Sequence, residues 1–119
     1  MIIAYLAYSW IEKGVNIEKS LNMLKKADTL KPNDGYIIYS LGWALFKVKK
    51  YKESKKYLQI AVKYMASDPV VNDHFADSLW MNNNFLQARY YWNYVLKLEK
   101  TEEKQRNKIK QKLLFGLKT

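Results

Sequence analysis

Side chains of matching size recur along this chain at a spacing of 34 residues. The second unit contains Leu41, Gly42, Leu45, Tyr51, Ser54, Leu58 and Ala61, and the third contains Phe75, Ala76, Leu79, Phe85, Ala88, Trp92 and Val95. The first unit contains Ile17, Ser20, Leu24 and Ala27 at the same spacing, and Leu6, Ala7 and Trp10 one residue earlier. A period of this length is typical of a helical solenoid, in which one helix pair is built several times and stacked.

The composition favours helices throughout. The 119 residues include only four Gly and two Pro, whereas an all-β chain of this length needs many more turn residues. We therefore predict an all-α, right-handed α-solenoid that forms a single domain over residues 1–119. Three helix-turn-helix repeats are expected at about 1–34, 35–68 and 69–100, followed by a capping helix at about 101–116.

Polar residues mark several helix ends. Asp34 and Asp68 precede apolar stretches at positions that suit a helix N-cap, and Pro69 suits the first helical position. The Asn82–Asn84 turn suits the left-handed conformation that ends a helix where Gly is absent.

The last segment breaks the period and predicts a helix that covers the end of the stack. Thr101 is expected to cap this helix, with Ile109 and Leu113 four residues apart on its buried stripe. Its lysines, Lys112 among them, are expected to face water.

The pattern resembles the tetratricopeptide repeat (TPR), whose signature combines Leu-Gly, Tyr, Ala, Phe and Pro at fixed offsets. The matching residues are Ile38, Leu41, Gly42, Leu45, Ser54 and Leu58 in the second unit and Asn72, Phe75, Ala76, Leu79, Ala88 and Trp92 in the third. The segments that begin at Asp34 and Asp68 are similar to the last repeats of long TPR proteins of alphaproteobacteria. The resemblance covers nearly the whole chain.

The resemblance implies a non-catalytic protein-interaction module whose concave wall is built by the first helix of each repeat. The residues that it places on this wall are Tyr8, Tyr36, Tyr39, Trp43, Phe46, Lys47, Asp73, Asp77, Trp80 and Met81. The bound segment is expected to be a peptide or helix of a partner protein, with Tyr39, Trp43, Phe46 and Trp80 as apolar anchors. Asp73 and Asp77 are expected to select a basic or amide-rich segment.

The resemblance also bears on one specialised activity. TPR modules that clamp the carboxylate of chaperone C-termini present Lys and Asn on this wall. Trp43 and Asp77 stand in place of those Asn residues here, so this activity is not predicted.

Metal binding and catalysis lack candidate residues. Asp73, His74 and Asp77 lie within one helical turn, but the chain contains a single His and no Cys. A transition-metal site normally requires more nitrogen or sulfur ligands, so we predict no metal and no cofactor, with His74 as a packing or capping residue. No nucleophile, base and orienting group can be grouped together, so we do not expect an enzyme.

The formal charge of +10 supports an alternative, which is binding to RNA or an anionic surface through the lysine cluster at Lys47–Lys56. Because 19 of the 21 basic residues are Lys, and Arg dominates phosphate and base recognition, nucleic acid is not the favoured partner. Another alternative is a homo-oligomer formed through the apolar end of the first repeat. The apolar run Met1–Ile11 is too short for a membrane span. We therefore expect no span, and a cytoplasmic protein if the chain is complete.

Overall fold

Seven helices make up the fold of residues 2–118. The computed structural model describes residues 2–118, with side chains from residue 5 onwards. The helices are α1 (Ile2–Lys13), α2 (Ile17–Leu30), α3 (Gly35–Lys47), α4 (Tyr51–Tyr64), α5 (Pro69–Met81), α6 (Phe85–Lys97) and α7 (Glu103–Phe115). No strand occurs between residues 2 and 118.

The helices stack as consecutive pairs. Within each pair the two helices pack against each other, as α1 with α2, α3 with α4 and α5 with α6. The second helix of each pair also contacts the helix that follows, and α1, α3 and α5 contact one another in series. The predicted all-α repeat solenoid is therefore confirmed, with α1, α3 and α5 forming one continuous wall.

The small residues of the repeat lie at the helix crossings, as their spacing predicts. Ala7, Ser20, Gly42, Ser54, Ala76 and Ala88 are all buried. Between α3 and α4 the Ser54 hydroxyl donates a 2.8 Å hydrogen bond to the carbonyl oxygen of Gly42. A helix carbonyl that already serves its own ladder can accept this second bond, so Ser54 ties the two helices together.

The predicted caps are largely confirmed. A side-chain oxygen of Asp34 accepts a hydrogen bond from the Ile37 amide at 3.1 Å. The corresponding oxygen of Asp68 accepts from the amides of Val70 and Val71 at 2.9 and 3.1 Å. Each cap satisfies amides that the first turn of a helix leaves unpaired.

The prediction for Thr101 is wrong. Glu102 is the N-cap residue of α7, and the buried Thr101 hydroxyl donates instead to the carbonyl oxygen of Val95 at 2.7 Å. Arg106 strengthens the same junction, because its guanidinium donates to the carbonyl oxygens of Leu96 and Leu98. With no exposed surface left on Ile109, α7 is fixed onto the end of α6.

Two predictions concern residues that the structure does not describe. The self-association surface expected at the start of the first helix includes the side chains of residues 1–4, which lie outside the described residues. The ends of the predicted domain, residues 1 and 119, also lie outside them.

Candidate functional site

The wall formed by α1, α3 and α5 carries the ten residues predicted for partner binding, but it does not present them as an exposed row. Tyr39, Trp43, Asp73 and Asp77 are buried, Tyr8, Tyr36, Phe46, Trp80 and Met81 are partly buried, and Lys47 is exposed. The exposed aromatic surface expected at Tyr39 and Trp43 is therefore absent. Neighbouring helices of the stack cover these rings, since each wall helix packs between two others.

A hydrogen-bonded series of rings links the three wall helices. The hydroxyl groups of Tyr8 and Tyr39 lie 3.3 Å apart, and the Tyr39 hydroxyl lies 2.7 Å from Nδ1 of His74. Desolvation raises the pKa of Tyr8 to about 12 and also raises the pKa of Tyr39. Both phenols therefore stay protonated at neutral pH and serve as hydrogen-bonding links between repeats.

His74 was predicted to be a packing or a capping residue, and the structure shows it packing. Its ring stacks on the indole of Trp43, with centroids 3.5 Å apart and planes 7° apart. Phe46 also stacks on Trp43, at a centroid distance of 4.7 Å. Burial, followed by the positive charges of Lys112 and Lys47, lowers the pKa of His74 well below 6.5. A neutral imidazole suits both the stack on Trp43 and the hydrogen bond between Nδ1 and the Tyr39 hydroxyl.

The imidazole of His74 should stay neutral in the folded protein at pH values where a free histidine becomes charged. Because His74 is the only histidine, its Cε1 proton gives one NMR signal that can be followed against pH. A lowered folded pKa contributes stability above the unfolded pKa, and this stability is lost as pH falls below it. Each pH unit below about 6.5 then removes up to about 1.4 kcal/mol. A titration of the folded protein with a midpoint at or above 6.5 would contradict this account.

The two predicted acidic residues are paired with a lysine of the same chain. Nζ of Lys112 lies 2.9 Å from Asp73 Oδ1 and 2.9 and 3.2 Å from the two oxygens of Asp77. The Gln105 amide donates to the second Asp73 oxygen at 3.3 Å, and the Trp92 indole donates to Asp77 at 3.2 Å. Asp73 and Asp77 are not free to select a basic partner as expected, because Lys112 of α7 pairs with both of them and offsets part of their negative charge. Lys112 itself does not face water, contrary to its prediction.

Burial is the main influence on the ionisation of Asp77. Desolvation and the charge of Asp73 raise its pKa to about 7 from the usual 3.8, against the opposing effect of Lys112. Two carboxylates that share one ammonium group cannot both be fully compensated. The cluster of Asp73, Asp77 and Lys112 therefore approaches neutrality below about pH 7, when Asp77 takes up a proton.

A cleft of about 530 Å³ opens between α3, α5 and α7. Trp43 and His74 lie on one side of it, beside Val70 and the paired Asp73 and Asp77. The side formed by the last helix and its N-cap carries Glu102, Lys104, Gln105, Lys108 and Lys112. A second hollow of about 440 Å³ shares Lys108 and Lys112 with this cleft and continues along α7.

The α7 side of the cleft was missed by the sequence reasoning. Lys104, Lys108 and Lys112 are four residues apart and so lie on one face of the helix. This spacing was the available signal, but it cannot show that the face turns towards α5 rather than towards water.

Trp80 does not join Trp43 in this cleft. Its ring packs on Phe85 at 4.4 Å and lies against Gly116, close enough that a Cβ there would clash with it. The φ angle of Gly116 is +75°, a conformation that glycine adopts without strain. Trp80 thus anchors the end of the chain, and the predicted apolar anchors are not brought together as one set.

Two classes of site have no support within the described part of the chain. Among residues 5–118, no group of three His, Asp or Glu side chains is arranged to hold a metal ion. In the described helices, none has both the length and the apolar character that crossing a bilayer requires.

Comparison with known proteins identifies the architecture. No family model and no curated protein matches the sequence. Solved structures do match, among them the first TPR domain of human RPAP3, at a TM-score of 0.77 and 14% identity, covering 92% of this chain and 86% of that one. This chain has the fold of a TPR domain.

Two further TPR domains of similar structure are bound to peptides. One is the first TPR of Spaghetti (RPAP3) with the HSP90 peptide SRMEEVD, at a TM-score of 0.77 and 17% identity over 95% of this chain and 91% of that one. The other is the second TPR domain of human RPAP3 with the HSP70 peptide SGPTIEEVD. Its TM-score is 0.75 at 14% identity, covering 92% of this chain and 90% of that one. At these identities the likeness shows the fold alone.

Proposed function

We propose that this TPR domain, residues 1–119, is a non-catalytic interaction module that holds a peptide or helical segment of a partner protein in the cleft between α3, α5 and α7. The observation that carries the proposal is the cleft itself, which places the stacked Trp43 and His74 opposite the charged side of α7. Its volume of about 530 Å³ is in the range of ligand sites, which combine apolar surface with a few polar groups.

A buried, unpaired donor on a residue that lines the cleft supports this proposal. The indole nitrogen of Trp43 is buried and has no hydrogen-bond acceptor among residues 5–118. Tryptophan can only donate, and buried donors are normally paired. An oxygen of a bound peptide, from its backbone or a side chain, is a suitable acceptor.

The likeness to other proteins supports the same class of function. Similar TPR domains are solved with peptides bound. We also propose, from the segments at Asp34 and Asp68, that the chain is related to the terminal repeats of alphaproteobacterial TPR proteins. RNA or anionic-surface binding through Lys47–Lys56 and self-association remain untested predictions.

Filling the cleft should abolish peptide capture without unfolding the protein. Val70 borders the cleft and is 40% exposed, so Val70→Trp adds a large ring there without entering the core. In selections from a random dodecapeptide library displayed on phage, we expect the enriched peptides to bind this variant about tenfold more weakly or worse than wild type.

A matched substitution provides the control for this experiment. Leu86 on α6 is 79% exposed and does not line the cleft, so Leu86→Trp adds the same ring elsewhere. We expect this variant to bind the enriched peptides as wild type does. If no enriched peptide distinguishes the two variants, the cleft is not the binding site.

A further inference from the structure

We infer that the segment held in this cleft is acidic, and that Lys47, Lys104 and Lys108 recognise its side-chain carboxylates around Trp43 and His74. The inference rests on the proposed function and names the chemistry of its partner. It reverses the charge preference expected from Asp73 and Asp77 alone.

The first argument is the distribution of charge between the inside and the surface of the cleft. Asp73 and Asp77 keep only 8% and 5% of their side-chain surface exposed, and both lie within 2.9 Å of Lys112. Lys104 and Lys108 are exposed and have no ion pair within 4.0 Å among residues 5–118. An incoming segment therefore meets unpaired ammonium groups, while the carboxylates below are almost covered and share the ammonium group of Lys112.

The second argument is the continuation of this charge along α7. Among residues 5–118, the side chains that line the adjoining hollow include Lys108, Lys112 and Lys118 and no carboxylate. Glu102, at the opposite end of α7, is the one acidic residue of the cleft that Lys112 does not contact. Exposed lysines thus follow one another from Lys104 through Lys108 to Lys118, over a length that suits an extended chain with several acidic side chains.

The third argument concerns a lysine beside the Trp43 ring. Nζ of Lys47 lies 5.2 Å from the centroid of the Trp43 ring. A carboxylate accepts several hydrogen bonds and donates none when ionised, so such a group beside the Trp43 ring can accept from this ammonium group. A basic segment offers no acceptor in its side chains.

The same geometry favours an acidic peptide over RNA. Binding of single-stranded RNA commonly uses exposed aromatic faces on which bases stack. Trp43 already stacks on His74 and Phe46 and is only 6% exposed. No arginine lines either hollow, although arginine is the preferred residue for planar recognition of phosphate.

The experiment uses the full chain and two charge-reversal variants. Lys104→Glu/Lys108→Glu reverses the cleft lysines, and Lys52→Glu/Lys56→Glu reverses two exposed lysines at the same spacing on α4. The probe is a fluorescent, glutamate-rich dodecapeptide with blocked ends, compared with its glutamine counterpart and with the unblocked peptide. We expect the cleft variant to bind the acidic probe about tenfold more weakly or worse, with the α4 variant close to wild type. Binding should also weaken from about 50 to about 500 mM salt.

Several outcomes would overturn the inference. Equal binding of the glutamine peptide, or equal loss in both charge variants, would remove the role of the cleft lysines. A requirement for an unblocked C-terminus would assign recognition to the terminal carboxylate rather than to side chains. Tighter binding of poly(U) RNA than of the acidic probe, lost in the cleft variant, would make the site a nucleic-acid site.

The peptide library separates this inference from the proposed function. Enrichment of neutral or basic peptides that bind the Val70→Trp variant more weakly than wild type would overturn the acidic preference and leave the proposed function standing. If no enriched peptide depends on the cleft, both fail. Circular dichroism of each variant checks that binding is lost from a folded protein.

Discussion

Replacing Lys112 with methionine is expected to lower the free energy of unfolding by about 3–5 kcal/mol near pH 8. The substitution keeps much of the length of the side chain but removes the ammonium group that lies 2.9 Å from both Asp73 and Asp77. Two buried carboxylates then face each other without a counter-charge, which is among the most destabilising changes that a core can undergo. Urea unfolding followed by tryptophan fluorescence measures the effect, because Trp92 donates to Asp77.

The free energy of unfolding lost in the Lys112→Met variant should be smaller at about pH 5 than at about pH 8. The pKa of Asp77 is raised in the folded protein to about 7 from its usual 3.8, so the folded state binds more protons than the unfolded state between these values. This group therefore makes the protein less stable as pH rises through that window. In the wild type Lys112 lowers the pKa of Asp77. Removing this lysine therefore raises that pKa further and extends the loss of stability to higher pH. A loss that does not depend on pH would contradict the assignment.

Two controls separate charge from packing. Lys110 lies on the same helix and is exposed, so Lys110→Met should change stability by no more than about 0.5 kcal/mol. Adding Asp73→Asn and Asp77→Asn to Lys112→Met removes all three charges and should recover most of the lost stability. Failure of this triple variant to recover would show that the methionine damages the packing of α7 instead.

Replacing Gly42 with valine is expected to destabilise the domain by about 1–3 kcal/mol. A Cβ at this position would lie 2.9 Å from Cγ and Cδ2 of Leu58 and 3.2 Å from its backbone nitrogen. The leucine side chain has little room to move, because it has no exposed surface. The overpacking outweighs the smaller benefit of replacing glycine within a helix.

A double-mutant cycle tests the cause of the Gly42 effect. Leu58→Ala alone should cost about 2–5 kcal/mol through the cavity that it leaves. Gly42→Val places new methyl groups beside this cavity, so the double variant should lose less stability than the sum of the two single losses. Strict additivity in urea unfolding would exclude the proposed clash between the two side chains.

The helices and their order could be predicted from local sequence. Asp34 and Asp68 cap α3 and α5 through their own side chains, and such caps depend only on residues two or three positions away. Asn83 has a φ angle of 64°, as its place in the turn after α5 predicts. Thr101 was misassigned because its hydroxyl binds the carbonyl oxygen of Val95 in the preceding helix.

The character of the cleft could not be predicted in the same way. The four-residue spacing of Ile109 and Leu113 identifies the buried side of α7, but it treats Lys112 as a surface lysine. The partners of Lys112 lie 35 and 39 residues away on α5, and only the placement of α7 brings them within 2.9 Å. The same placement buries Asp73 and Asp77 and leaves Lys104 and Lys108 exposed, with no ion pair within 4.0 Å among residues 5–118.

The repeated helix pair and its close crossings at residues such as Gly42 and Ser54 could be predicted from the amino-acid sequence alone. These features follow from the spacing and the size of side chains, which recur in each repeat. Which wall residues are open, and what charge they present, became clear only from the packing of the helices. The physical reason is that a side chain is neutralised or covered by whatever lies across from it, and residues far apart in the sequence supply those neighbours.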